Sequence, residues 1–169
     1  LTQNTTMTFG QFFSELDGDG DLEYLVAGTN GCSDQLRIFR NLGDGFNNDT
    51  AILSDVTNIV ELPRQCFGCP STLISQDFNG DGFVDIFAGL NNGQNRLFLS
   101  DLPETFSFTD VTGTHIPGIS DQTQDVVFGD FDGDNDIDLF LVNFSQRPRL
   151  HLNQGDATFS DVTATNLPN

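Results

Sequence analysis

Residues 130–138, DFDGDNDID, set carboxylates at positions 1, 3, 5, 7 and 9 of a nine-residue stretch, which turns apolar at once in LFLVN. Carboxylates crowded within a few ångströms repel one another, so a chain that folds around them needs a positive charge at their centre. Alternate positions of a tightly wound loop aim several oxygens at one point, and Gly133 at position 4 accepts the positive φ that such winding requires. About six to eight hard oxygen donors describe calcium. With no Cys or His nearby a transition metal is disfavoured, and magnesium, which retains its waters, fits poorly.

The stretch occurs three times without gaps, as ELDGDGDLEYLVAG (15–28), DFNGDGFVDIFAGL (77–90) and DFDGDNDIDLFLVN (130–143), at offsets of 62 and 53 residues. Positions 1, 3, 5 and 9 give the candidate ligands Glu15, Asp17, Asp19 and Glu23; Asp77, Asn79, Asp81 and Asp85; and Asp130, Asp132, Asp134 and Asp138. At position 7, Asp21, Phe83 and Asp136 are expected to offer a backbone carbonyl, since Phe83 has no carboxylate to give. The second loop, with three carboxylates against five in the others, is expected to bind least tightly. An EF-hand is excluded because Val26, Ala88 and Leu141 stand where its bidentate Glu must be, and a strand pattern follows where a helix is needed. The competing reading is three solvated Asp/Gly turns. In-register repetition favours about three Ca²⁺, one per repeat, which take the formal charge from −19 to −13.

The loops need strands to hold them. Apolar runs precede each one (MTFGQFF, STLISQ, DVVFG), and a near-continuous apolar strand follows, reading as buried on both faces. In the next strand Leu36/Ile38, Leu97/Leu99 and Leu150/Leu152 alternate with Arg37, Phe98 and His151, a period of two with one protected face. The endings LSDVT, FTDVT and FSDVT close each unit. The expectation is an all-β chain of three four-stranded antiparallel propeller-type blades with calcium loops, an incomplete propeller or repeat array, with repeats at 1–63, 64–118 and 119–169.

These residues resemble FG-GAP/VCBS-type calcium-binding repeats, the blades of integrin α-subunit propellers and of many secreted proteins. Phe9-Gly10 and Phe128-Gly129 stand for the "FG" of the family, and Ala27-Gly28 and Ala88-Gly89 resemble its "GAP", from which Val142-Asn143 departs. The resemblance implies adhesion, lectin-like binding or scaffolding, and fold does not choose among them. Propellers close with about 4 to 8 blades. Three blades leave sheet faces and edges open, so the chain is part of a longer propeller, or copies complete one another in a ring, or they stack in an open array. The two ends, DVTATNLPN and LTQNTTMTFG, would join into a linker similar to the internal DVTGTHIPGISDQTQDVVFG.

Composition narrows the partners. Six Arg and no Lys leave no patch for a row of phosphates, so nucleic acid is not expected, and neither is an anionic membrane surface or membrane insertion. The three Cys, Cys32, Cys66 and Cys69, allow one disulfide and a leftover thiol, and Asn4, Asn48 and Asn143 head glycosylation triplets. Opening on Leu1, the chain is expected to have had a leader removed or to be a piece of something longer. No nucleophile, phosphate-loop or zinc-protease motif occurs, and His115 and His151 read as packing or surface, so no enzyme is expected. The DVT triplets at 55–57, 110–112 and 161–163 read as strand ends whose Asp or Thr satisfies the next turn, in competition with a recognition surface. The leading expectation is a secreted, extracellular, calcium-stabilised structural or adhesive repeat protein that self-assembles head to tail in filaments or rings, with its own copies, further blades, glycans or cell-surface proteins as partners. A lectin-like, carbohydrate-binding propeller or a fragment of a larger adhesion propeller is the alternative; 17 Phe, one Tyr and no Trp suit a core better than a sugar face.

Overall fold

A computed structural model describes residues 7–29, 35–41, 53–55, 69–101 and 106–168. Among the described residues, twelve strands form three antiparallel four-stranded meanders. The first blade comprises β1 (Met7–Ser14), β2 (Glu23–Thr29), β3 (Gln35–Asn41) and β4 (Leu53–Asp55). The second comprises β5 (Cys69–Gln76), β6 (Asp85–Gln94), β7 (Arg96–Ser100) and β8 (Phe108–Asp110). In the third are β9 (Ser120–Gly129), β10 (Asp138–Asn143), β11 (Arg149–Asn153) and β12 (Phe159–Asp161). The fold is therefore all-β, an incomplete propeller of three blades.

The core lies between the blades, because a sheet apolar on both faces must cover both. Leu16, Leu25 and Ile38 of the first blade pack against Leu73, Ile86 and Phe98 of the second. Phe78, Phe87 and Leu97 on the other side of the second blade pack against Val126, Leu139 and Phe159 of the third. This layering corrects the expected period of two in the third strands: Leu97 and Phe98 are both buried, as are Leu150 and His151, while Leu99 and Leu152 are half-covered. Phe98 and His151 lie on faces that a neighbouring blade covers, so alternation disappears.

Strand pairing also places the short motifs. Every first strand carries one unpaired residue six positions before its loop, at Phe9, Ser71 and Gln124. Phe9-Gly10 therefore sits at a bulge, whereas Phe128-Gly129 directly precedes its loop; the two pairs are not structural equivalents. Ala27 occupies the place of Gly89, as the gapless repeat alignment has it and one residue off the Ala-Gly dipeptide match, since both pair with the residue after the bulge. A Cβ on Gly89 would meet the Thr72 and Thr123 methyls at 2.6 and 2.9 Å, so the junction of the second and third blades requires glycine there.

Beyond its own blade β6 continues to pair with β9 through Asn91–Gln122, Gly93–Asp121 and Gln94–Ser120. Single helical turns, α1 (Thr112–His115) and α2 (Thr163–Asn166), follow the last strands of the second and third blades. Among the described residues no helix is long and apolar enough to cross a membrane.

Candidate metal-binding loops

Each acidic loop joins the first two strands of a blade and repeats one set of side-chain to main-chain hydrogen bonds. The position 1 carboxylate accepts the N–H of position 4, at 2.7 Å for Glu15 and Gly18, 2.7 Å for Asp77 and Gly80, and 2.6 Å for Asp130 and Gly133. Position 3 accepts from position 5, as Asp17, Asn79 and Asp132 do from Asp19, Asp81 and Asp134. Asp19, Asp81 and Asp134 at position 5 accept in turn from Asp21, Phe83 and Asp136 at 2.8–2.9 Å. Short acceptors that bond two residues on wind the backbone tightly, and the winding needs positive φ at positions 4 and 6. Gly18, Gly20, Gly80, Gly82 and Gly133 supply it; at position 6 of the third loop Asn135 does so, at φ 74°.

Position 9 is different in kind. Glu23, Asp85 and Asp138 begin the second strands and are wholly buried. Each accepts the N–H of position 2, from Leu16, Phe78 and Phe131 at 2.9, 3.0 and 2.8 Å. Asp85 and Asp138 also accept from the last residue of the third strand, Ser100 at 2.9 Å and Asn153 at 2.8 Å, so one carboxylate ties the loop to two strands. Glu23, one methylene longer, leaves its Oε1 buried without a hydrogen-bond partner. Burial pushes Glu23 up to about 7 and Asp85 up to about 6, against the hydrogen bonds that favour their charged forms.

Two loops bring carboxylate oxygens together. Those of Glu15, Asp17 and Asp19 lie within 4.8 Å of one another, and so do those of Asp130, Asp132 and Asp138. Asp21 and Glu23 stand outside the first group, and Asp134 and Asp136 outside the third. In the second loop Asn79 turns its amide nitrogen to Asp81 at 2.9 Å, and Asp77 accepts from Gly80 and Gly82. Asp132 and Asp136 are held above the usual carboxylate range, first by crowding that strips water and then by Asp134. Sequence reading missed Arg40, whose Nε lies 2.6 Å from Asp17 and whose guanidinium stacks 5.4 Å over the Phe106 ring; it gives the first loop a cation of its own. Oxygen-only, carboxylate-rich donor sets of this kind fit a hard divalent cation.

Other candidate residues are placed as follows. Cys32, Cys66, Asn4 and Asn48 lie outside the described residues, and Cys69 opens β5. Asn143 is half-buried, accepting from Thr123 and donating to the Arg147 carbonyl. In the DVT triplets Asp110 and Asp161 accept the N–H of Thr112 and Thr163, whose hydroxyls accept from Leu97 and Leu150. His115 meets the Thr114 hydroxyl at 2.8 Å.

His151 is buried with neither ring nitrogen bonded, in the place that Phe98 holds in the second blade. Burial lowers its pKa despite Asp161 and Asp121, with Arg149 adding to the shift. A base with a depressed folded pKa binds protons better when unfolded, so stability is lost as pH falls below about 6.5, at no more than ~1.4 kcal/mol per pH unit. Denaturant titrations from pH 7 to 5 should show a shallower acid slope for His151→Phe than for the parent; equal slopes would exclude this origin.

A family model described as FG-GAP-like repeat matches residues 77–141 and 130–169, more than half of the chain. Cartilage acidic protein 1 of Xenopus tropicalis and that of Homo sapiens are each 32% identical over 111 residues, 65% of this chain. The match spans 16% of the length of either relative.

Proposed function

Because the chain belongs to the FG-GAP-like repeat family, we propose that it is a non-enzymatic, calcium-stabilised structural or adhesive repeat protein of the extracellular space. The observation that carries this reading is the shared hydrogen-bonded winding of three acidic loops, two of which bring three carboxylate oxygens within 4.8 Å of one another, where a cation relieves their repulsion. Glu15, Asp17 and Asp19 would hold the ion in the first loop, Asp77, Asn79 and Asp81 with Asp85 in the second, and Asp130, Asp132 and Asp138 in the third. Bound calcium supplies charge compensation and crosslinks loop to strand. The relatives, named for cartilage and for acidity, support an extracellular setting in which weak sites fill. Both histidines support a passive role, one bonded to Thr114 and the other sealed between blades.

Melting of dialysed protein with chelator and with calcium tests this. At ten times Kd each site adds about 1.4 kcal/mol, so three add roughly 4 kcal/mol. Equal melting temperatures would refute the reading.

A further inference from the structure

The second blade is covered on both faces, whereas the first and third blades each leave one sheet face open. Loop position 2 shows the difference: Leu16 and Phe78 are 2% exposed, each wedged against the following blade, whereas Phe131 is 47% exposed. Val127, in the place of Ile74, is 50% exposed, and Val142, in the place of Gly89, is 39% exposed. On the first blade the opposite face is open. Leu22 is exposed where its counterparts Val84 and Ile137 pack against the preceding blade. Beside it Phe13, Tyr24 and Phe39 form a cross-strand row with ring centroids 5.0 and 6.0 Å apart. Among the described residues the second blade exposes no large apolar side chain.

A polar contact repeats the pattern. Asn153 of the third blade donates its side-chain N–H to the Phe78 carbonyl of the second at 2.7 Å. Asn41 holds the same place in the first blade, and its Nδ2 is buried with no partner. The counterpart of the Phe78 carbonyl on the open face of the third blade is that of Phe131.

We infer that the third blade of one copy seats the first blade of a second copy, with the Phe131 loop wedged beside Leu22 and Tyr24 and the Phe131 carbonyl accepting from Asn41. The occupant is a second copy because the two open faces are the two halves of a junction the chain already makes twice, from equivalent positions. The contact is heterologous, so it propagates, closing as a ring or running on as a filament. This deepens the repeat-protein reading of the previous subsection and rests on it.

Phe13→Glu and Val127→Glu alter exposed side chains on opposite faces, outside the acidic loops. In calcium, sedimentation velocity should show concentration-dependent assemblies for the parent chain and monomers for either variant alone. An equimolar mixture retains one intact half of each kind and should give a species of twice the monomer mass. A parent chain that stays monomeric, variants that associate like the parent, or a mixture that stays monomeric overturns the inference. The monomeric variants should keep the calcium-dependent rise in melting temperature. If they keep it while association fails, only the interface is lost; if calcium has no effect on any chain, the underlying reading is lost as well.

Discussion

In chelator, Asp138→Ala is expected to destabilise the chain by about 3–5 kcal/mol, since two buried N–H donors left without an acceptor cost ~1–3 kcal/mol each and a small cavity adds to them. Those donors belong to Phe131 and Asn153, at 2.8 Å on either oxygen of a wholly buried carboxylate. Asp138→Asn keeps one acceptor and should cost roughly half as much, since its amide group must face a donor. Urea titration of the three proteins checks both numbers. An Ala variant within about 1 kcal/mol of the parent would show that position 9 does not tie the loop to its strands. In calcium the gap should widen, because the Ala variant also loses an oxygen from the group it forms with Asp130 and Asp132.

The double duty of position 9 marks the boundary of what sequence conveys. The winding of the loops was legible because it is local: acceptors two or three residues from their donors and glycines at the positions of positive φ need no knowledge of the rest of the chain. The second bond of Asp85 or Asp138 crosses 15 residues to another strand, and no spacing within the loop announces it. Repetition carried the four-stranded units into view for the same reason, since a meander pairs neighbours in the chain.

Contacts between blades were not legible. Phe98 and His151 read as the outward half of an alternating strand, yet each is buried because another blade covers that face. Whether a residue such as Phe131 is core or surface depends on whether a blade follows, which its own sequence neighbourhood cannot express. The FG and GAP pairs misled more subtly. Similar letters fall at different ladder positions, because the bulge at Phe9, Ser71 and Gln124 fixes the register and those dipeptides do not. Arg40 escaped notice because its contact with Asp17 spans 23 residues.

Arg149→Met is expected to cost about 3 kcal/mol at pH 7, because removing one partner of a buried ion pair strands the other. Arg149 donates to Asp121 at 2.6 Å and to Asp161 at 3.0 Å, and the Asp121 side chain is 3% exposed. Asp121→Asn in the same background should restore part of the loss, and denaturant titrations of the double-mutant cycle should give a coupling of at least ~1.5 kcal/mol. Additive effects would mean that the pair is screened. A large coupling has a structural reason: Asp121 pairs through its backbone with Gly93 in the extension of β6, so the ion pair fastens β11 and β12 to the one strand of the third blade that is also laddered to the second. The second blade has the matching Arg96–Asp110 pair at 3.0 Å, which joins β7 to β8. Loss of Arg149 should therefore loosen the junction between blades before it unravels the blade itself, with amide exchange quickening first at Asn91–Gln94 and Ser120–Gln122.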